Sequence, residues 1–131
     1  MQTVNVNLGE RSYPIIIGNG LLDNGKLLSP LLAPHLQKAK VVIISNDVVA
    51  PLYLEKVKPL FAAQSCAEIV LPDGEQHKNL DAVAHIYDRL MQGKYDRNTT
   101  LVALGGGVIG DITGFAAATY QRGINFIQLP T

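Results

Sequence analysis

The chain has 131 residues, 47% hydrophobic and 17% charged, which suits one globular domain with a core rather than a disordered segment. Lysine plus arginine equals aspartate plus glutamate at 11 each, so no basic excess is present to hold nucleic acid or an anionic membrane. The single Cys66 excludes a disulfide framework and a cysteine-based zinc site, no apolar stretch approaches the roughly 18–20 residues of a membrane span, and "MQTVNVNLGE" lacks the pattern of a signal peptide, so a reducing, cytoplasmic location is expected.

In chain order, Val4, Val6 and Leu8 alternate with polar residues and share one face of a predicted strand. Residues 13–17 form a second short strand, and "GER" between the two is a candidate hairpin turn. The Leu-rich stretch 18–36 is broken by Gly25, Pro30 and Pro34 and reads as a short helix plus loop. "KVVIISN" at 40–46 is a buried β-branched strand. Residues 51–63 read as a helix despite Pro59, and 67–71 as a strand. Leu80, Val83, Ala84, Tyr87, Leu90 and Met91 recur at helical spacing, predicting an amphipathic helix over 79–92. A strand at 99–104, a helix at 108–120 and a last strand at 125–129 complete the chain.

Strand and helix thus alternate three times, with strands too uniformly apolar to show one face to water. That pattern predicts an α/β fold: a Rossmann-like, mostly parallel sheet with helices on both faces, plus an N-terminal β-hairpin. Ligands of such sheets sit at the carboxyl ends of the strands. Three strand ends are chemically unusual here: Ser45-Asn46-Asp47, Pro72-Asp73-Gly74-Glu75 and Gly105-Gly106-Gly107.

Gly105-x-Gly107-x-x-Gly110 matches the dinucleotide pattern, follows a strand and opens a helix. Without Cβ atoms the backbone can approach a pyrophosphate, and N–H groups at the helix start face the anion. The alternative is a tight strand-to-helix turn with close packing. The acid that ordinarily follows such a loop by about 20 residues is missing after the next strand. The strand end before the loop, "PDGEQHK", offers a substitute. Glu75 and Lys78 are three residues apart and share a face on one helical turn, a carboxylate for ribose hydroxyls and an ammonium for phosphate. A turn with a helix-capping acid is the plainer reading of that segment. Asp111 either caps its helix or points away from a pyrophosphate, toward hydroxyls or a nicotinamide amide. His77, within "PDGEQHK", reads as a solvated or cofactor-adjacent side chain; His35 and His85 read as surface or helix-face residues.

"NLGERSYPIIIG", "LPDGEQHK" and "LVALGGGVIGDITGFAAATYQRGINFIQLPT" together resemble the N-terminal part of the 3-dehydroquinate synthase family, over Val4 to Thr131. The resemblance implies an NAD-binding N-terminal domain over 1–131. It also implies a separate helical domain carrying metal and substrate groups. The implied reaction converts 3-deoxy-arabino-heptulosonate 7-phosphate to 3-dehydroquinate and phosphate in the shikimate pathway of aromatic amino acid biosynthesis. NAD oxidises a ring hydroxyl transiently and is regenerated. The family's first NAD motif falls on Asp73, Gly74, Glu75, Gln76, His77 and Lys78. The second falls on Gly105, Gly106, Gly107, Val108, Ile109, Gly110 and Asp111, and the first of a Thr-Thr pair falls on Thr131. Asn46 resembles a position meeting the adenosine end, and Arg122 in "YQRG" resembles an arginine for the substrate phosphate or is a surface charge.

The family's zinc, or another divalent metal, is held by residues that the resemblance puts in the later domain. The three histidines here sit on separate elements without metal-ligand spacing, so no metal site and no catalytic residue is expected in this chain. The expectation is an inactive NAD-binding fragment of a homodimeric enzyme. Related readings are another sugar-phosphate cyclase or a metal-dependent alcohol dehydrogenase, although "PDGEQHK" and "YQRG" favour the cyclases. A non-catalytic nucleotide-binding or dimerisation module is the reading from a different class.

Overall fold

The computed structural model describes residues 1–36 and 39–131. Strands β1 (Gln2–Val6) and β2 (Tyr13–Ile17) pair antiparallel, with Val6 opposite Tyr13 and the turn Gly9–Arg11 between them. This is the expected hairpin, but its first strand ends at Val6 and Leu8 lies beyond it, exposed. The apolar face is not covered either: Val4, Tyr13, Ile15 and Ile17 are all exposed.

The remaining strands are β3 (Lys40–Asn46), β4 (Cys66–Leu71), β5 (Thr99–Gly105) and β6 (Asn125–Pro130). They form one four-stranded parallel sheet in the order β4-β3-β5-β6. Alternation along β3 divides the core. Val42 and Ile44 face a cluster with helices α3 (Leu80–Gln92) and α4 (Gly107–Thr119). Val41 and Ile43 face a second cluster with α1 (Gly25–Leu36) and α2 (Ala50–Val57). Helices therefore cover both faces, as a parallel sheet requires.

Three local differences from the sequence reading have physical causes. Residues 25–36 form one continuous helix with Pro30 and Pro34 inside it. The two prolines are four residues apart on the exposed face, where water can take the carbonyls their rings leave unbonded, while Leu28 and Leu36 are buried. Asn24 caps this helix, accepting from the Leu27 N–H at 3.2 Å. Second, the helix after β3 ends at Val57, and Pro59 opens a tighter 3-10 turn, Lys58–Phe61, that buries Leu60 and Phe61. Third, α3 buries Val83, Ile86 and Leu90, whereas Leu80 (74% exposed), Ala84 and Met91 face water. Asn79 caps that helix by accepting from the Ala82 N–H at 3.0 Å, which sets its start.

Burial on α3 fixes an expected contrast. Ile86→Ala, at a fully buried site, loses about 2–5 kcal/mol of stability, and Leu80→Ala changes it by less than about 0.5 kcal/mol. Urea denaturation of the two variants measures this, and equal losses would contradict the helix orientation.

Candidate functional site

The winding of the sheet makes the crevice. From β3 the chain moves outward to β4 through α2 on one face, then returns past β3 to β5 through α3 on the other. Right-handed crossovers demand that a reversal of direction be accompanied by a change of face. The segments leaving the carboxyl ends of β3 and β5 therefore diverge, and the space between them is the switch point where sheets of this kind bind ligands. Just past the last ladder pair, Ile44 with Ala103, the buried Ser45 hydroxyl donates to Leu104 O at 2.7 Å and holds the two strand ends together.

All three chemically unusual strand ends meet here. Asn46 Nδ2 donates to Asp73 Oδ1 at 3.1 Å, and the Asp73 N–H donates to Asp47 Oδ1 at 3.0 Å. The "PDGE" loop is thereby tied to the end of β3. Gly74, at φ 122°, adopts a conformation that side chains rarely tolerate and turns the chain into the short turn Glu75–His77. Lys78 follows directly. Its Nζ lies 3.6 Å from Glu75 Oε1, as the spacing predicts, and 2.8 Å from Asp111 Oδ2 on α4. The second contact joins the two sequence motifs across 33 residues, and nothing local in the sequence signals it. Thr131 is brought in from β6, its N–H donating to Gly105 O at 3.3 Å.

The glycines divide by role. A Cβ on Gly105 would sit 3.1 Å from Ile109 Cβ, and one on Gly110 would sit 2.5 Å from Gln128 Nε2 on β6. Gly110 is buried and its N–H is already donated to Gly106 O at 3.0 Å, so what it provides is close packing of α4 on β6 rather than a ligand contact. Gly106 and Gly107 differ: an added Cβ at either meets no atom within 4 Å. Packing does not require glycine at these two positions, and the space beside them is open. Gly106 also stands at the N-cap of α4 with no side chain capping it. The helix N–H groups of Gly107, Val108 and Ile109 precede the first intrahelical bond and have no acceptor within the helix. The Ile109 side chain is buried and Val108 packs against the same core, so the backbone is what both present outward.

The other candidate residues fall in separate places. Asp111 caps nothing, because the helix begins at Gly107 and Asp111 lies in its second turn, paired with Lys78. Asn46 is buried, with its Oδ1 accepting from the Val48 and Val49 N–H groups and its Nδ2 donating to Asp73; it is committed to the protein rather than displayed to a ligand. Arg122 lies at the other end of the sheet. It precedes Asn125, which pairs with Thr100 near the start of β5, whereas the crevice is at Gly105. The 13 residues of α4 separate the two ends by about 20 Å. Gln76 and His77 lie in the short turn before Lys78, with His77 half-buried. Asp47, part of the unusual strand end Ser45-Asn46-Asp47, lies directly after the buried strand and before a helix, and there it accepts from the Asp73 N–H. Among the described residues, no group of three or more His, Cys, Asp or Glu is placed to hold a metal, and no helix is long and apolar enough to cross a membrane.

The mouth of the crevice is charged. The Asp111 carboxylate hydrogen-bonds the Lys78 ammonium and, with the charges of Asp111 and Glu75, holds its pKa above the ordinary 10.5. A lysine raised on folding contributes stability below its unfolded pKa and loses it as pH rises through the folded value, so on the lysine side this link is lost in alkaline solution. Asp111→Asn is expected to return the Lys78 side-chain titration, followed by NMR, toward 10.5; an unchanged titration would mean that the pair does not form in solution.

Comparison with known proteins agrees with this geometry. Residues 68–131 match the family model "3-dehydroquinate synthase N-terminal". The whole chain is 58% identical to the 3-dehydroquinate synthase of Pseudomonas fluorescens (strain SBW25), of which it covers 35%, and 56% identical to that of Hydrogenovibrio crunogenus, of which it covers 36%. It thus spans about a third of the length of these relatives. Among solved structures, 2-deoxy-scyllo-inosose synthase complexed with carbaglucose-6-phosphate, NAD+ and Co2+ superposes with a TM-score of 0.83 at 25% identity, over 99% of this chain and 35% of that one. The 2-epi-5-epi-valiolone synthase of Streptomyces hygroscopicus subsp. jinggangensis 5008, with NAD+ and Zn2+ bound, gives 0.69 at 29% identity, over 95% of this chain and 34% of that one. In its parallel sheet, its covering helices and its sequence, the chain is similar to the N-terminal portion of 3-dehydroquinate synthases.

Proposed function

We propose that residues 1–131 are the NAD-binding domain of a 3-dehydroquinate synthase, with the dinucleotide held across the β3–β5 crevice. The observation that carries this is the unfilled space at Gly106 and Gly107, beside helix N–H groups with no acceptor among the described residues. A glycine pair that packing does not need, placed at a helix start, fits a pyrophosphate that a Cβ would displace. The N–H groups of Gly107, Val108 and Ile109 are the donors to it. Asp111 on the same helix would repel that charge, and Lys78 offsets it from the facing loop. Glu75 is assigned to the ribose hydroxyls, and Thr131 to the nucleotide as well. NAD, when bound, supplies the hydride acceptor that the reaction uses and restores.

In this reading the whole protein converts 3-deoxy-arabino-heptulosonate 7-phosphate to 3-dehydroquinate and phosphate, in the shikimate pathway, as a cytoplasmic homodimer. The divalent metal, zinc or another, belongs to the part of such enzymes beyond this stretch. The NAD+ and the Co2+ or Zn2+ named with the two related cyclases support both cofactors. Their identities of 25% and 29%, against 58% and 56% for 3-dehydroquinate synthases, favour the latter as the specific activity.

Isothermal titration with NAD tests the cofactor reading. The 131-residue chain is expected to bind, and Gly107→Val to weaken binding at least about tenfold, or 1.4 kcal/mol. That variant should stay folded, because its side chain projects into free space. Equal affinity in the two folded proteins would leave the glycines without a ligand role. Supplied with NAD, a divalent metal and the heptulosonate phosphate, the chain by itself is expected to release no phosphate. Substrate positioning alone supplies about 7–11 kcal/mol of barrier lowering, and the described residues at this crevice hold no metal-ligand cluster and no arginine. Sustained turnover by the purified chain would place the active site within it.

A further inference from the structure

We infer that Asn46 is a positioning residue: it holds the "PDGE" loop in the orientation that NAD binding uses, acting through Asp73 rather than by touching the nucleotide. This rests on the proposed NAD site. Asn46 is 6% exposed, and three hydrogen bonds account for most of its polar capacity. Its Oδ1 accepts from the N–H groups of Val48 at 3.0 Å and Val49 at 2.7 Å, which fixes the entry to α2. Its Nδ2 donates to Asp73 Oδ1 at 3.1 Å. On the other side of the same loop, Asp47 Oδ1 accepts from the Asp73 N–H at 3.0 Å. The loop is gripped at both its backbone and its side chain by two consecutive residues, the last of β3 and the one after it. Two residues further on it carries Glu75, and then Lys78, which reaches Asp111. Any rotation at Asp73 therefore displaces both charged side chains of the loop.

The amide is the chemical choice that makes this work. The side chain must accept from two N–H groups and donate to a carboxylate at once, and an asparagine does both without charge. An aspartate keeps the acceptor but turns the donor into a second carboxylate. The titratable groups around it are Asp47 on its own strand end and Asp73 on the facing loop. Glu75, His77 and Lys78 lie further along that loop, and Asp111 lies on α4. At neutral pH a carboxylate at position 46 faces Asp73 and repels it. In acid the two share a proton, and the link re-forms.

Asn46→Asp is the informative variant, since it preserves the bonds that start α2. In the nucleotide-free variant near pH 8, the Asp73 amide is expected to lose hydrogen-exchange protection relative to wild type at the same pH. NAD affinity falls at least about tenfold there, with recovery of most of it toward pH 5, while wild-type affinity changes little over that range. Unaltered protection and affinity near pH 8 would overturn the inference. So would a loss of affinity that acid does not reverse, because general damage to the fold has no reason to follow the proton. The exchange measurement needs no nucleotide: its result bears on Asn46 even if wild type binds no NAD, an outcome that would instead remove the NAD reading.

Discussion

The reversal of direction between β4 and β5 is the constraint on which the rest depends. Each crossover must be right-handed, so the chain changes faces when it changes direction. One consequence is a sheet covered on both sides, with Val41 and Ile43 packed one way and Val42 and Ile44 the other. The second is a gap at the carboxyl ends of β3 and β5, where the polypeptide leaves toward opposite faces. The ladder stops at Ile44 and Ala103, and a single buried hydroxyl, that of Ser45, bridges to Leu104 O beyond it. Backbone pairing gives way there to side-chain bonds, which is what allows a ligand to share the space.

Around that gap the chain spends polar side chains on holding loops and leaves backbone groups free. Asn46 and Asp47 bind the Asp73 loop, and Lys78 links it to α4. The helix meanwhile begins at Gly106 without a capping side chain. Helix starts are commonly satisfied by Ser, Thr, Asp or Asn, as Asn79 does for α3 and Asn24 for α1. The bare start of α4 stands out against those two. Its glycines do not form one class: Gly110 and Gly114 bring the helix against Gln128 and Phe126 of β6, while Gly106 and Gly107 border open space. A single run of glycines thus serves helix–sheet packing at one end and accessibility at the other.

The same physics leaves a contrast at the edges. The β-hairpin exposes Val4, Ile15 and Ile17, and β6 has a partner on one side only. A groove between them is lined by Ile15, Ile17, Leu31, Phe126 and Leu129. That groove takes in neither the glycine loop nor the "PDGE" loop; the three strand ends that carry the sequence motifs meet at the crevice instead, and the functional site is placed there.

The sequence by itself determined what depends on neighbours along the chain. The β-branched run at 40–46, the alternation of strand and helix, and the hairpin at "GER" were legible because strand period and turn chemistry are local. So was the Glu75–Lys78 pair, three residues apart. The convergence of Asn46, Asp73 and Gly105 at one sheet end followed from the parallel arrangement itself. Tertiary structure decided the rest. Pro30 and Pro34 stayed inside a helix because burial of Leu28 and Leu36 outweighed two missing bonds. Ile86 rather than Leu80 reached the core because packing set the angle of α3. Lys78 met Asp111, Asn46 was consumed by the scaffold, and Arg122 fell at the opposite end. Each of these turns on distances between residues far apart in the chain, and spacing in sequence carries no measure of such distances.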